Sequence, residues 1–378
     1  MIDRERLATL FKSLVEIDSV SGNERAIANK VRKIADSLGA VCHVDDSEKR
    51  TGSDTGNLIL KFKGNRPLEP LLLSAHMDTV EPGCSVKPVF KDGVFTSDGT
   101  TILGADDKSA IAIILEVIRV LVEKELPCCP LEFVLTTCEE IGLQGAKNLD
   151  FSLITAKKGY VLDTSDIGII VNQAPAANRI ELKVFGKDAH AGVAPEQGIN
   201  AIVLASKAIA GLKLGRIDHE TTCNIGVING GVAINIVPKM VSIQGEVRSH
   251  DNDKLDRITE NIVSAFQRVV DGWQGNGEPS ELPRLEYKIE KDFPLTRIPK
   301  DHPVILIAQQ AASNLGRSIK TKSTGGGADA NIFFEQGIVA GVIGTGMQNM
   351  HSVRESIKLD DMVQTAELLM EIVRLHST

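Results

Sequence analysis

The sequence predicts an α/β fold interrupted by a smaller α+β insertion. Three observations predict it. Short apolar runs alternate with segments of helical period up to Asn172. From Arg179 the pattern changes to strands with one wet face. From about Phe293 the first pattern resumes. At 378 residues the chain is also too long for one small core. The expected division is residues 1–174 with 291–378 for the split α/β domain, and 175–290 for the insertion.

The elements follow in order. Leu7, Leu10, Phe11, Leu14 and Val15 recur at helical spacing. Ser21-Gly-Asn-Glu24 has the spacing of a capping box, so a helix is expected from there to about Gly39. Leu58 to Lys63 and Leu71 to Ala75 read as strands, the second a short, mostly apolar run of a buried sheet. Ala105 to Glu123 reads as a helix buried on most sides, and Leu131 to Thr137 and Gly159 to Leu162 as further strands. In the insertion, Ile180, Leu182 and Val184 alternate with polar residues. A helix at Asn200–Leu214, strands at Thr222–Ile228 and Val241–Arg248, a helix at Asp253–Val270 and a strand at Arg284–Ile289 complete a β-α-β-β-α-β, ferredoxin-like order. Asp271 to Pro283 reads as a loop. Helices at His302–Leu315 and Leu359–His376 flank a strand at Ile338–Ile343.

Composition narrows the function. A formal net charge of −8 without a visible basic patch argues against a nucleic-acid partner. The longest apolar run, Ser109 to Val122, is too short to span a bilayer and is broken by Glu116 and Arg119, so no membrane partner is expected. The charged N-terminus lacks the apolar core of a signal peptide. None of the six cysteines forms a C-x-x-C pair, which disfavours a thiolate metal site and fits free thiols in a reducing cytoplasm.

Chemistry-bearing residues gather where strands end. The Leu71 run leads straight into His76, with Asp78 two residues on. Ligand sites in open α/β sheets lie at the carboxyl ends of strands. His76 there suits a metal, with Asp78 accepting its other ring N–H, or else a hydrogen-bonded core position. Asp106 and Asp107 open the long helix, either as metal ligands or as compensation of the helix dipole. Glu139 and Glu140 follow the next strand, where one can ligate and the other serve as general base, or both can be solvated. Asp163 follows a further strand, and His351 lies in a loop after the last one. Together two histidines and several acids, with no cysteine, suit a pair of Zn²⁺, Mn²⁺ or Co²⁺ ions.

The order H-x-D (76–78), G-A-D-D-K (104–108), E-E-x-G (139–142), L-D (162–163) and the late His351 resembles the M20 metallopeptidases. The similarity is strongest to their peptidase T, or tripeptide aminopeptidase, branch, through Gly99-Thr-Thr-Ile-Leu-Gly-Ala-Asp-Asp-Lys-Ser-Ala. It extends to Gly186-Lys-Asp-Ala-His190-Ala-Gly192 and Gly230-Gly-Val-Ala-Ile-Asn235-Ile-Val-Pro238. The resemblance implies a zinc-exopeptidase-like three-layer catalytic domain and a lid or dimerisation domain. It implies that Asp106 bridges two metals, that His76 and Asp163 complete one shell, and that Glu140 and His351 complete the other. Glu139 is then the general base and proton donor, and Asp78 orients His76. A cis bond is implied at Asp106–Asp107. His190, Asn235 and Arg248 take substrate-contacting places, with His190 reaching the site of a partner subunit in a homodimer.

The expected function is removal of the N-terminal residue of short peptides, tripeptides foremost, in the cytoplasm. The expected cofactor is two divalent ions, zinc first, with manganese or cobalt as alternatives. A carboxypeptidase or N-acyl amino acid deacylase is the neighbouring reading. A non-catalytic, metal-stabilised regulatory dimer is the reading from another class.

Overall fold

A computed structural model describes residues 2–274 and 281–378. The loop expected over 271–283 falls in part on residues 275–280, which lie outside the described residues. The chain forms two compact units, Met1–Gln173 with Thr296–Thr378, and Ala174–Leu295.

Among the described residues, the first unit is built on a nine-stranded mixed sheet. Four of its neighbouring strands, Leu131–Thr136, Leu71–His76, Lys158–Val161 and Val339–Ile343, run parallel. Their carboxyl ends therefore share one edge of the sheet. These are the strands that precede Glu139, His76, Asp163 and His351 in sequence. Leu131–Thr136 and Leu71–His76 are buried along their whole lengths, as expected for parallel strands covered on both faces. The Ala105–Glu123 helix is buried on nearly every side. The helices Arg4–Val15 and Leu359–His376 pack against it. Each fully buried Leu or Ile contributes roughly 1.5–3 kcal/mol, and this apolar mass offsets the cost of burying the charges at the strand ends.

The second unit is an antiparallel five-stranded sheet in the order Gly215–Arg216, Thr221–Gly230, Met240–Ser249, Ala176–Phe185, Arg284–Phe293. Ile180, Leu182 and Val184 alternate inward as their spacing predicts. They meet Leu204 of the Ala201–Ala210 helix and Ile262 and Phe266 of Asn252–Asp271. Both helices start on side-chain caps, Asn200 accepting from Val203 N–H and Asp251 from Lys254 N–H.

Several local expectations need correction. The helix expected after Glu24 forms at Arg25–Ser37, but its first residues have no side-chain cap from Glu24. Ser21 and Glu24 face buried partners elsewhere, so the capping-box spacing is used for another purpose. The change of pattern read at Asn172 falls inside a strand, Ile169–Ala174, that the sequence reading did not name. A three-stranded sheet of Val89–Lys91, Val94–Thr96 and Ser356–Lys358 was not expected. Three-residue strands are too short to show a period. Among the described residues, no helix is long and apolar enough to cross a membrane.

Candidate active site

The strand ends bring His76, Asp106, Glu140 and His351 together. Asp106 Oδ1 lies 3.1 Å from His76 Nε2, and its Oδ2 lies 3.3 Å from His351 Nε2. One carboxylate thus spans two imidazoles. Glu140 Oε1 lies 3.0 Å from the same His351 nitrogen, without the geometry of a hydrogen bond. Asp106 holds this place through an irregular helix start, with non-helical angles at Asp106 and Asp107 and a cis peptide bond between them. Asp163 follows the Lys158–Val161 strand at the same sheet edge, and the charges of Asp106 and Glu140 act on it.

Asp78 meets the His76 ring through both its backbone carbonyl and its carboxylate. The Nδ1 of His76 meets the Asp78 backbone carbonyl at 2.9 Å, while the nearer carboxylate oxygen is 3.4 Å away. With that carbonyl accepting the Nδ1 proton, a bound cation would take the Nε2 side of the ring, where Asp106 lies. The carboxylate of Asp78 also accepts the backbone N–H groups of Glu139 and Glu140, at 2.9 and 3.1 Å. It orders the turn that carries both glutamates. That turn is tight: Gly145 N–H donates to Thr137 O at 2.9 Å, and a Cβ on Gly145 would sit 2.2 Å from that oxygen.

Negative charge exceeds positive in this enclosed space. Burial raises the carboxyl of Glu139 well above its ordinary range, and Asp163, Asp329 and Glu140 add to the shift against the opposing pull of His76. Burial likewise raises Asp163, with Asp106 adding to it, and Asp107, with Asp163 and Asp106 adding. Burial would raise Asp106 too, but His351 and His76 outweigh it and hold its carboxyl below the usual range. Contacts with Asp106 and Glu140 push His351 up to about 10. For His76, burial opposes the charged ring, yet Asp106 and Asp78 outweigh it and raise the pKa well above the ordinary value. Among the described residues, Asp107 Oδ1, Glu140 Oε1 and Asp329 Oδ1 are buried without a hydrogen-bond partner. Buried acids in this number are neutralised either by protons or by cations.

Three buried acids around the site escape sequence reasoning. Glu24 accepts from Gly22 N–H and Cys138 N–H through Oε1, at 2.9 and 3.0 Å, and from the Ser53 hydroxyl through Oε2. Ser21 donates to Asp78 Oδ2 at 2.6 Å. The Ser21–Glu24 segment thus braces the residues on either side of Glu139. Glu355 accepts three backbone N–H groups at the start of the Asp106 helix. Asp329 accepts the Thr136 hydroxyl, and burial lifts its carboxyl to about 6. The sequence offers only one signal for these, the S-x-x-E spacing, and it points to a cap.

The inserted unit arranges its candidates loosely. His190 and Asn235 are both exposed and adjacent: His190 bridges Ile236, and Ala191 N–H donates to Asn235 O at 2.9 Å. Arg248 lies at the other end of the sheet, paired in register with Ala177, while His190 follows the far end of that strand, Phe185. Its guanidinium donates to both carboxylate oxygens of Glu246, at 3.0 and 2.9 Å, and stacks 5.6 Å over Phe293. These three residues do not form one cluster within the chain. A further His–acid group, Asp218, His219 and Glu220, is already neutralised by Lys254 Nζ, at 2.9 Å from Asp218 and 2.6 Å from Glu220.

Comparison with known proteins gives concordant matches. The sequence model described as peptidase family M20/M25/M40 matches residues 72–375. The protein YqjE of Bacillus subtilis (strain 168), described as uncharacterized, is 40% identical over 374 residues, 99% of each chain. The structure of aminopeptidase PepT from Bacillus cereus superposes with a TM-score of 0.89 at 39% identity, covering 100% of both chains. That of a Staphylococcus aureus tripeptidase superposes at 0.93 with 37% identity, covering 100% of this chain and 99% of the other.

Proposed function

Because the chain belongs to peptidase family M20/M25/M40, we propose that it is a binuclear-metal aminopeptidase that removes the N-terminal residue of short peptides, tripeptides foremost. One observation carries the reading: the Asp106 carboxylate faces His76 with one oxygen and His351 with the other. The buried Asp107 oxygen without a hydrogen-bond partner supports it, since a nearby cation would offset its charge. The relatives named an aminopeptidase and a tripeptidase support the choice of substrate.

His76 and Asp163 would hold one ion, Glu140 and His351 the other, and Asp106 both. The donors are nitrogen and oxygen without thiolate, which suits zinc first and manganese or cobalt next. When bound, such a pair lowers the pKa of water and stabilises the negative oxygen of a tetrahedral intermediate. Glu139 takes the proton of the attacking water and delivers it to the leaving amine. Asp78 holds the Glu139 turn by its backbone while its own carbonyl fixes the ring of His76. His190 supplies a hydrogen bond to the scissile carbonyl oxygen. Arg248 grips the carboxylate at the peptide's C-terminus, exchanging Glu246 for it.

The inserted unit pairs two copies in this reading. Val193, Val232 and Ile234, around His190 and Asn235, are 75, 86 and 105% exposed, an apolar surface that association would cover. His190 of one copy then serves the other's centre. The six free thiols fit a reducing compartment, and cytoplasmic location belongs to the same reading.

A panel of di-, tri- and tetrapeptides with free and blocked termini tests the substrate. Free tripeptides should lose their first residue, N-blocked ones should resist, and a chelator should stop the reaction until Zn²⁺, Mn²⁺ or Co²⁺ is restored. Ready cleavage of N-blocked peptides would move the assignment to a carboxypeptidase or deacylase. No cleavage of any peptide by the metal-loaded chain would favour a regulatory protein.

A further inference from the structure

Among the described residues 348–356, Glu355 alone is buried, at 1% exposure. A carboxylate is a costly side chain to turn inward from a loop whose neighbours face solvent. Its partners explain the burial. Oε2 accepts the backbone N–H groups of Leu103 and Gly104, both at 2.8 Å, and Oε1 accepts that of Asp106 at 2.9 Å. All three amides belong to the turn that enters the Ala105–Glu123 helix.

This turn cannot satisfy its own donors. The first N–H groups of a helix have no partner within it, and Gly104, at the N-cap with φ +75°, has no side chain to offer. The backbone at Asp106 and Asp107 departs from helical angles, so the regular ladder starts late. A carboxylate from a distant loop does the work of a cap. It also places a negative charge at a helix N-terminus, where it is favoured.

The same loop carries His351. Backbone pairing of Gln348 with Ser356 closes the loop at its base, and Glu355 N–H donates to Ser352 O at 3.0 Å. His351 and Glu355 therefore belong to one backbone-paired loop. One loop holds Asp106 twice, by its main chain through Glu355 and beside its side chain through His351.

We propose that Glu355 is a positioning residue that locks the His351 loop onto the Asp106 turn, so that the two residues present their ligand atoms to the cations in one fixed geometry. The proposal rests on the two-cation reading above. It makes Glu355 a determinant of cation affinity, beyond any part it has in stability.

The test titrates Co²⁺ into the chelator-treated full chain, read by calorimetry and by the visible absorption bands, beside thermal unfolding of the metal-free proteins. The wild type, Glu355→Gln and Glu116→Gln are compared. Glu116 is a control: it is equally buried, lies on the Ala105–Glu123 helix that Glu355 caps, and is held by Arg6 and the Asp3 N–H rather than by the site. The wild type should take up two Co²⁺. Glu355→Gln should lose about 10–100-fold in affinity for at least one of them, the range for residues that orient ligands, with altered bands. Glu116→Gln should unfold earlier yet bind as the wild type does. Wild-type affinity and bands in Glu355→Gln, or an equal affinity loss in Glu116→Gln, would overturn the inference alone. A wild type that takes up no cation would overturn the two-cation reading and this inference with it. If Glu355→Gln does not fold, Glu355→Asp, which keeps the charge but shortens the reach, is held to the same criteria.

Discussion

The two units of the chain hold their candidate residues in opposite ways. In the α/β unit, His76, Asp78 and Asp106 are buried and joined by contacts of 2.9 to 3.4 Å. In the inserted unit, His190 and Asn235 face solvent, and Arg248 is engaged by a carboxylate of its own strand. The first set is pre-organised by one chain. The second is spread over its unit without a shared cluster. Substitutions in the first set should therefore act through the cations and the base, and those in the second through contacts with the substrate.

The largest effect is expected at Glu139. Glu139→Ala should lower kcat by about 10²–10⁴-fold, the range for a general base, while both cations remain bound by metal analysis. Near-normal turnover would assign the base elsewhere. His190→Ala should cost about 10²–10³-fold in kcat, the range for an oxyanion donor. Mixing it with Glu139→Ala sharpens the comparison between the units. If His190 serves the neighbouring copy, mixed dimers regain one competent site and activity rises above either variant alone. If it serves its own chain, mixing restores nothing.

Glu24→Gln should cost about 10–100-fold in kcat with KM and cation content little changed. It loosens the Cys138 amide beside the base without touching a ligand. A fall in cation content instead would place Glu24 with the metal-holding residues. The smallest effect is expected from Arg248→Lys, which keeps the charge and removes the two-pronged grip. One charge-assisted hydrogen bond is worth about 1.5 kcal/mol, so KM for a tripeptide should rise roughly tenfold, with no change for its C-terminal amide. An equal rise for both peptides would detach Arg248 from the carboxylate.

The same division explains what could be read in the sequence. The parallel strands were legible because short, mostly apolar runs such as Leu71 to Ala75 have few other uses. The residues after them were legible because sheet topology delivers strand ends to one edge. The bracing residues were not. Ser21 and Glu24 have the spacing of a local cap, and nothing nearby reveals that their partners are Asp78 and Cys138, far along the chain. Glu355 binds main-chain amides about 250 residues away, and an amide carries no residue type to recognise. In the insertion, alternation at Ile180, Leu182 and Val184 located the sheet, but no pattern distinguishes an arginine free for substrate from one paired with Glu246.

The central claim is that the Asp106 carboxylate lies between two divalent ions. Anomalous diffraction at the zinc edge from zinc-loaded crystals tests it most directly. Two peaks are expected about 3.5–4 Å apart, one on the His76 side of Asp106 and one on the His351 side. A single peak, or peaks remote from Asp106, would contradict it.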